Sequence, residues 1–152
     1  MKQGKDVKAM EDVRVLGESD NESSVLIVYD SKTGNVEWFA QQLGLPMLSV
    51  NDLIECKGEL KQSVFLITHT IKRGMVTKAT QEFLNRYAGN TIGVCVSGDQ
   101  RWGQLFGLAG DKIHLEYDIP LVRKIDLRGY PSDIEAVASW IQNWKEELEK
   151  NV

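Results

Sequence analysis

Residues 25–40 constrain the fold of this chain more than any other stretch. Val25-Leu26-Ile27-Val28-Tyr29 is a short, apolar, β-branched run, and helical spacing begins near Val36. Between them, Asp30-Ser31-Lys32-Thr33-Gly34-Asn35 sets hydroxyl, lysine, hydroxyl, glycine and amide in a tight turn. A buried strand that feeds a helix through such a turn presents backbone N–H groups at the helix N-terminus. Those groups have no intrahelical partner, and the helix macrodipole favours negative charge beside them. The Ser31 and Thr33 hydroxyls add donors, and Gly34 lets the backbone come close to an oxyanion. The turn lacks the G-x-x-x-x-G-K-[ST] spacing of a nucleoside-triphosphate loop, so a single phosphate monoester fits it better. The same residues also read as an ordinary strand-to-helix turn whose hydroxyls cap the helix.

The rest of the chain repeats this alternation. Val36, Phe39, Ala40 and Leu43 recur at helical spacing, and Gly44 and Pro46 stop that helix. Met47 to Val50 is a short strand, and Asn51 to Gln62 reads as connector. Val64-Phe65-Leu66-Ile67 is a continuous apolar run, as in strands buried on both faces of a parallel sheet. It ends at Thr68-His69-Thr70 and the loop Ile71-Lys72-Arg73-Gly74-Met75. Val76, Ala79, Phe83 and Tyr87 mark a second helix. A fourth strand, Ile92 to Val96, leads into Ser97-Gly98-Asp99-Gln100-Arg101-Trp102-Gly103, and a helix follows through Leu105, Leu108, Ala109 and Ile113. Pro120 to Leu127 is the fifth strand. Ser132-Asp133-Ile134-Glu135 reads as a capping box before a last helix with an inward stripe of Ile134, Val137, Ile141, Trp144 and Leu148. Trp140 and Trp144 therefore read as packing residues.

Five strands alternating with helices predict a doubly wound α/β domain with a five-stranded parallel sheet between two helical layers, α/β/α. Right-handed crossovers put every strand-to-helix loop on one edge of the sheet, where ligands bind at the reversal of strand order. Three loops therefore converge: Ser31 to Asn35, Thr68 to Met75, and Ser97 to Gly103. The first suits a phosphate; the other two offer hydroxyls, His69, glycines and Trp102 to a planar ring.

Composition narrows the partners. A chain of 152 residues with a formal charge of −4 is one domain of ample core and carries no basic stripe for nucleic acid. It has no apolar run of the ~18 residues that would span a bilayer, and no apolar signal segment at its start. Cys56 and Cys95 form no C-x-x-C pair, so a reduced, cytoplasmic setting without a thiol redox or metal motif is expected. Residues 1–24, polar and of mixed charge, read as a flexible extension ahead of the domain at 25–150. Cys95 and Arg101 match the C-x5-R spacing of a thiolate phosphatase loop. An apolar strand is a poor place for a thiolate, however, and Asp99 would repel a phosphate. A phosphoacceptor receiver domain is also a poor match, since Thr68-His69 stands where it needs an acidic residue. His114, beside Lys112 and Glu116, reads as a solvated surface residue.

Three motifs carry a resemblance to the NrdI family, which is flavodoxin-like and activates the manganese-dependent, class Ib ribonucleotide reductase. Tyr29-Asp30-Ser31-Lys32-Thr33-Gly34-Asn35-Val36 resembles the family's phosphate loop. Thr68-His69-Thr70-Ile71-Lys72-Arg73-Gly74-Met75-Val76 stands at its second, usually glycine-rich flavin loop. Ser97-Gly98-Asp99-Gln100-Arg101-Trp102-Gly103-Gln104-Leu105-Phe106 resembles its third loop, S-G-N-x-N-[WF]-G, and Leu108 to Ile113 continues the match. The resemblance implies a flavodoxin-like fold and non-covalently bound FMN, with Ser31, Thr33, Gly34 and Asn35 on the phosphate and Lys32 beside them. Thr68, His69, Thr70 and Gly74, with Ser97, Gly98, Asp99, Trp102 and Gly103, would flank the ring. It further implies two partners, an electron donor for the flavin and the metal-binding small subunit of the reductase, to whose dimanganese-tyrosyl radical site the reduced flavin would supply an oxidant. Lys72 and Arg73 replace a glycine and an aromatic usual in the family, and Asp99 and Arg101 replace asparagines. A flavin-free interaction module and a general electron-transfer flavodoxin are the alternatives this leaves.

Overall fold

The computed structural model describes residues 24–56 and 59–151. The expected extension, apart from Ser24, lies outside the described residues. Five parallel strands form the sheet: β1 (Val25–Tyr29), β2 (Met47–Ser49), β3 (Ser63–Ile71), β5 (Thr91–Gly98) and β6 (Leu121–Asp126), in the order β2-β1-β3-β5-β6. The helices are α1 (Asn35–Gln42), α2 (Val50–Glu55), α3 (Lys78–Tyr87), α4 (Leu108–Tyr117) and α5 (Pro131–Lys150). This is the expected three-layer, doubly wound α/β fold. Strand order reverses between β1 and β3, whose registers match from Val25 opposite Ser63 to Tyr29 opposite Ile67.

Side chains alternate across the sheet and divide the core in two. Leu26, Val28, Val64, Leu66 and Val94 pack under α2, α3 and α4 with Leu53, Phe83, Leu84 and Ile113. Val25, Ile27, Phe65, Ile67, Cys95 and Ile125 pack under α1 and α5 with Phe39, Val137 and Ile141. Trp140 and Trp144 pack against this second cluster, and the Trp140 ring lies 5.6 Å from that of Phe65. Among the described residues no helix is long and apolar enough to cross a membrane.

Four local readings need correction. A sixth strand, β4 (Met75–Val76), pairs antiparallel with the end of β3, Thr70 opposite Val76 and Ile71 opposite Met75. The segment expected as an open loop is therefore a hairpin, and Val76 belongs to it rather than to the helix. The Thr77 hydroxyl accepts the Thr80 N–H at 3.1 Å, which starts α3 one residue later. Part of the expected connector is α2, begun by Ser49, whose hydroxyl accepts the Asp52 N–H at 3.2 Å. Leu105 falls in a 3-10 turn, Gln100–Leu105, outside α4. The last helix begins at Pro131, with the Asp133 carboxylate accepting the Tyr130 N–H at 2.8 Å, so Ser132 and Glu135 do not form its cap.

Candidate functional site

The loop after β1 is organised by its own hydroxyl. Ser31 Oγ accepts the backbone N–H groups of Gly34 and Glu37, each at 3.2 Å. Gly34 caps α1 at φ +94, a left-handed conformation that costs a side-chain-bearing residue heavily. Asn35 and Val36 hold the first two helical positions, whose N–H groups have no intrahelical acceptor. Thr33 is exposed, and its hydroxyl has no partner among the described residues.

Asp30 ties this loop to the next. Its N–H donates to the Ile67 carbonyl at 2.9 Å, and its carboxylate accepts the Thr77 hydroxyl and, at 2.9 Å, the Thr80 hydroxyl. The Thr68 and Thr80 hydroxyls lie 2.7 Å apart. A hydrogen bond to a charged group is worth about 1.5–3 kcal/mol, so Asp30→Asn is expected to cost about 2 kcal/mol, read as a lower urea midpoint at constant m. An unchanged midpoint would show that the carboxylate does not hold the two loops together.

The hairpin after β3 turns through Lys72 at φ +45 and Gly74 at φ +83. A Cβ on Gly74 would sit 2.6 Å from Leu108 Cδ2, so α4 packs directly on the hairpin backbone. In the third loop Asp99 caps the 3-10 turn. Its Oδ1 accepts the Arg101 N–H at 3.0 Å, and its Oδ2 meets Arg101 Nη2 at 2.6 Å. The hydrogen bonds from the Arg101 side chain, then the one from its backbone, hold the Asp99 carboxyl down to about 2. The turn after β6 braces this loop. Leu127 N–H donates to the Gly98 carbonyl at 2.7 Å, Ser97 Oγ donates to the Leu127 carbonyl, and Asp126 Oδ1 accepts the Gln100 N–H at 3.0 Å.

The three loops enclose a cleft of about 420 Å³ at the carboxyl ends of β1, β3 and β5. That lies within the roughly 300–1,000 Å³ usual for small-molecule sites. Of the expected residues, Ser31, Lys32, Thr33, Asn35, His69, Thr70, Ser97, Gly98, Asp99 and Trp102 line it. Thr68 does not: it is fully buried with its hydroxyl beside Thr80. Gly34, Gly74 and Gly103 also lie off the lining, and they shape turns at positive φ. Of the two unexpected cations Lys72 lines the cleft and Arg73 does not. Leu127 lines the cleft without having been anticipated, at φ +56 and held through its own backbone N–H and carbonyl, which leave no signal in its residue type.

Two side chains bear on what the cleft can do. Thr70 is buried and lines the cleft, and its hydroxyl has no hydrogen-bond partner among the described residues. Such a group needs a ligand or a water to complete it. Cys95 is fully buried in β5 and its burial pushes the thiol up, which removes the thiolate that the C-x5-R reading requires. His114 is exposed on α4, its Nδ1 2.8 Å from the Ile119 carbonyl.

Comparison with known proteins gives the same picture. The family described as NrdI flavodoxin-like matches residues 27–139. The SPbeta prophage-derived protein NrdI of Bacillus subtilis strain 168 is 33% identical over 120 residues, covering 76% of this chain and 90% of that protein. Protein NrdI of Deinococcus radiodurans is 34% identical over 120 residues, covering 79% of this chain and 84% of the other. Among solved structures, a short-chain flavodoxin associated with a non-canonical PDU bacterial microcompartment superposes with a TM-score of 0.57 at 18% identity, covering 82% of this chain and 97% of that one. Oxidised flavodoxin 2 from Bacillus cereus gives 0.56 at 20% identity, covering 82% and 99%. At these identities the two flavodoxins speak to the fold alone.

Proposed function

The chain belongs to the NrdI flavodoxin-like family, and from that membership and the cleft we propose that it binds FMN and serves the small subunit of a class Ib ribonucleotide reductase. The observation that carries the cofactor is the composition of a single cleft. One wall is a helix N-terminus with open donors, and another includes Thr70, whose buried hydroxyl has no partner among the described residues. A ligand with an anion at one end and a polar ring edge at the other satisfies both, and FMN has that form.

FMN, when bound, supplies the electron chemistry; the protein supplies position, access and charge. The N–H groups of Asn35 and Val36 and the Thr33 hydroxyl hold the phosphate, and Lys32 adds a cation beside it. Ser31 acts one step back, by fixing the turn from which those donors project. Thr70, Ser97, Gly98 and Asp99 meet the ring region, with Lys72 at its border. Asp99 is already engaged by Arg101 through both carboxylate oxygens, so it holds the third loop in shape more than it recruits a ligand N–H. A cation at Lys72 favours a ring that gains negative charge, which suits two-electron reduction and delivery of an oxidant formed with oxygen. The small subunit and an electron donor for the flavin are the partners.

The direct experiment is reconstitution. The purified chain, mixed with FMN and desalted, is expected to stay yellow with the absorbance of oxidised flavin. A colourless chain that still binds a manganese-loaded small subunit would instead favour the flavin-free interaction module. Trp102 supplies a second readout, because 43% of its surface is exposed although it lines the cleft. An indole near flavin quenches it, so Trp102→Ala is expected to raise bound-flavin emission several-fold. If emission and affinity both stay the same, Trp102 belongs to a partner surface.

A further inference from the structure

His69 stands on the cleft with one of its two nitrogens already committed. Nδ1 lies 2.8 Å from the backbone carbonyl oxygen of Asp30. That oxygen can only accept, so Nδ1 carries a hydrogen. The neutral ring therefore has its lone pair at Nε2, which has no hydrogen-bond partner among the described residues. The carbonyl that fixes this tautomer is itself immobilised, since the Asp30 N–H is bonded to Ile67 and its carboxylate to Thr77 and Thr80. The neighbouring strand contributes Ser97, opposite His69 in register, and its hydroxyl is bonded to Leu127.

The charged groups around His69 leave Nε2 to a ligand. Lys32 comes from the first loop, Lys72 from the hairpin and Asp99 from the third loop. The Asp99 carboxylate is held by Arg101, that of Asp30 by the two threonines, and Glu37 on α1 accepts from Tyr29. None of these carboxylates hydrogen-bonds His69, so protonation of the ring has no intramolecular acceptor at Nε2.

We propose that His69 is a proton-coupled contact for the ligand in this cleft, neutral beside a neutral ring and protonated at Nε2 beside an anionic one. The proposal rests on the reading that the ligand is FMN. The neutral imidazole offers the cleft only an acceptor; the imidazolium offers a charged donor. When the flavin receives two electrons and one proton it holds one negative charge, and His69 takes a second proton from water at Nε2. With dithionite as the electron donor, two electrons and two protons enter in all. Over the pH range in which His69 changes state, the extra proton makes reduction tenfold more favourable for each pH unit lowered, about 30 mV for a two-electron couple.

The test uses the full chain loaded with FMN. Its two histidines, His69 and His114, are labelled with nitrogen-15 and followed by NMR across pH, in the oxidised protein and after dithionite reduction. The His69 midpoint is expected to rise by about one pH unit or more on reduction, a tenfold change in proton affinity. His114, off the cleft, is the internal reference and should not move. In parallel, the FMN-loaded fraction of His69→Gln should lose the additional slope of about 30 mV per pH unit in the flavin potential. An identical His69 midpoint in both redox states, or a slope that survives in His69→Gln, overturns the proposal. The NMR measurement needs no variant, so poor folding of His69→Gln does not rescue it. A chain that fails to hold FMN overturns this proposal and its premise together; one that holds FMN with an unresponsive His69 overturns the proposal alone.

Discussion

Replacing Thr33 with alanine is expected to weaken FMN binding by about ten- to a hundredfold, the equivalent of one hydrogen bond to a charged group. The geometry singles out this hydroxyl. Ser31 is the other candidate in the loop, but its oxygen already accepts the Gly34 and Glu37 N–H groups. Thr33 is exposed on the cleft and has no such duty. Riboflavin lacks the phosphate, so its affinity should change little in the same variant, and the ratio of the two dissociation constants is the measurement. Ser31→Ala should behave differently, loosening the turn itself and weakening both ligands. Equal losses of FMN and riboflavin in Thr33→Ala would place the phosphate elsewhere.

The second large effect is structural and lies beneath the same loop. Phe39 is fully buried on α1, five residues after Gly34, in the core cluster shared with α5. Gly129, in the turn before α5, passes over its ring so closely that a Cβ there would lie 3.0 Å from Phe39 Cδ2. Arg128 of the same turn sits 4.7 Å from the centre of the Trp38 ring. Phe39→Ala therefore opens a cavity between α1 and the turn that braces the third loop. Truncations of this kind cost about 3–5 kcal/mol. In a domain of this size that lowers the melting temperature by on the order of 10 °C. A shift of only a degree or two would mean that the ring is not part of the cooperative core.

Most of the architecture was legible because burial writes itself into composition. Val25 to Val28 and Val64 to Ile67 face packed side chains on both sides of the sheet, so the residues are apolar without alternation. The strand-to-helix loops were legible through their glycines and hydroxyls, and ten of the named residues line one cleft. What could not be read was decided by tertiary contact. The β4 hairpin depends on Gly74 fitting under Leu108, a contact between positions far apart in sequence. Thr68 and Thr70 are alike in the sequence and share one face of β3, yet Thr68 is fully buried beside Thr80 while Thr70, nearer the carboxyl end of the strand, lines the cleft. Leu127 is held through its backbone, its N–H donating to the Gly98 carbonyl and its carbonyl accepting the Ser97 hydroxyl. Ser49, three residues before Asp52, was a readable helix start that the short length of α2 obscured.

The central claim joins this cleft to the assembly of a radical in another protein. Its most direct measurement is the yield of tyrosyl radical, followed by electron paramagnetic resonance. The FMN-loaded chain is reduced with dithionite, freed of excess reductant, and mixed with a manganese-loaded class Ib small subunit and oxygen. Radical formation is expected in proportion to the FMN-loaded chain, and it should fall away when free reduced FMN takes its place. A yield no greater than that from free reduced FMN and oxygen would contradict the account, even if the chain binds FMN tightly.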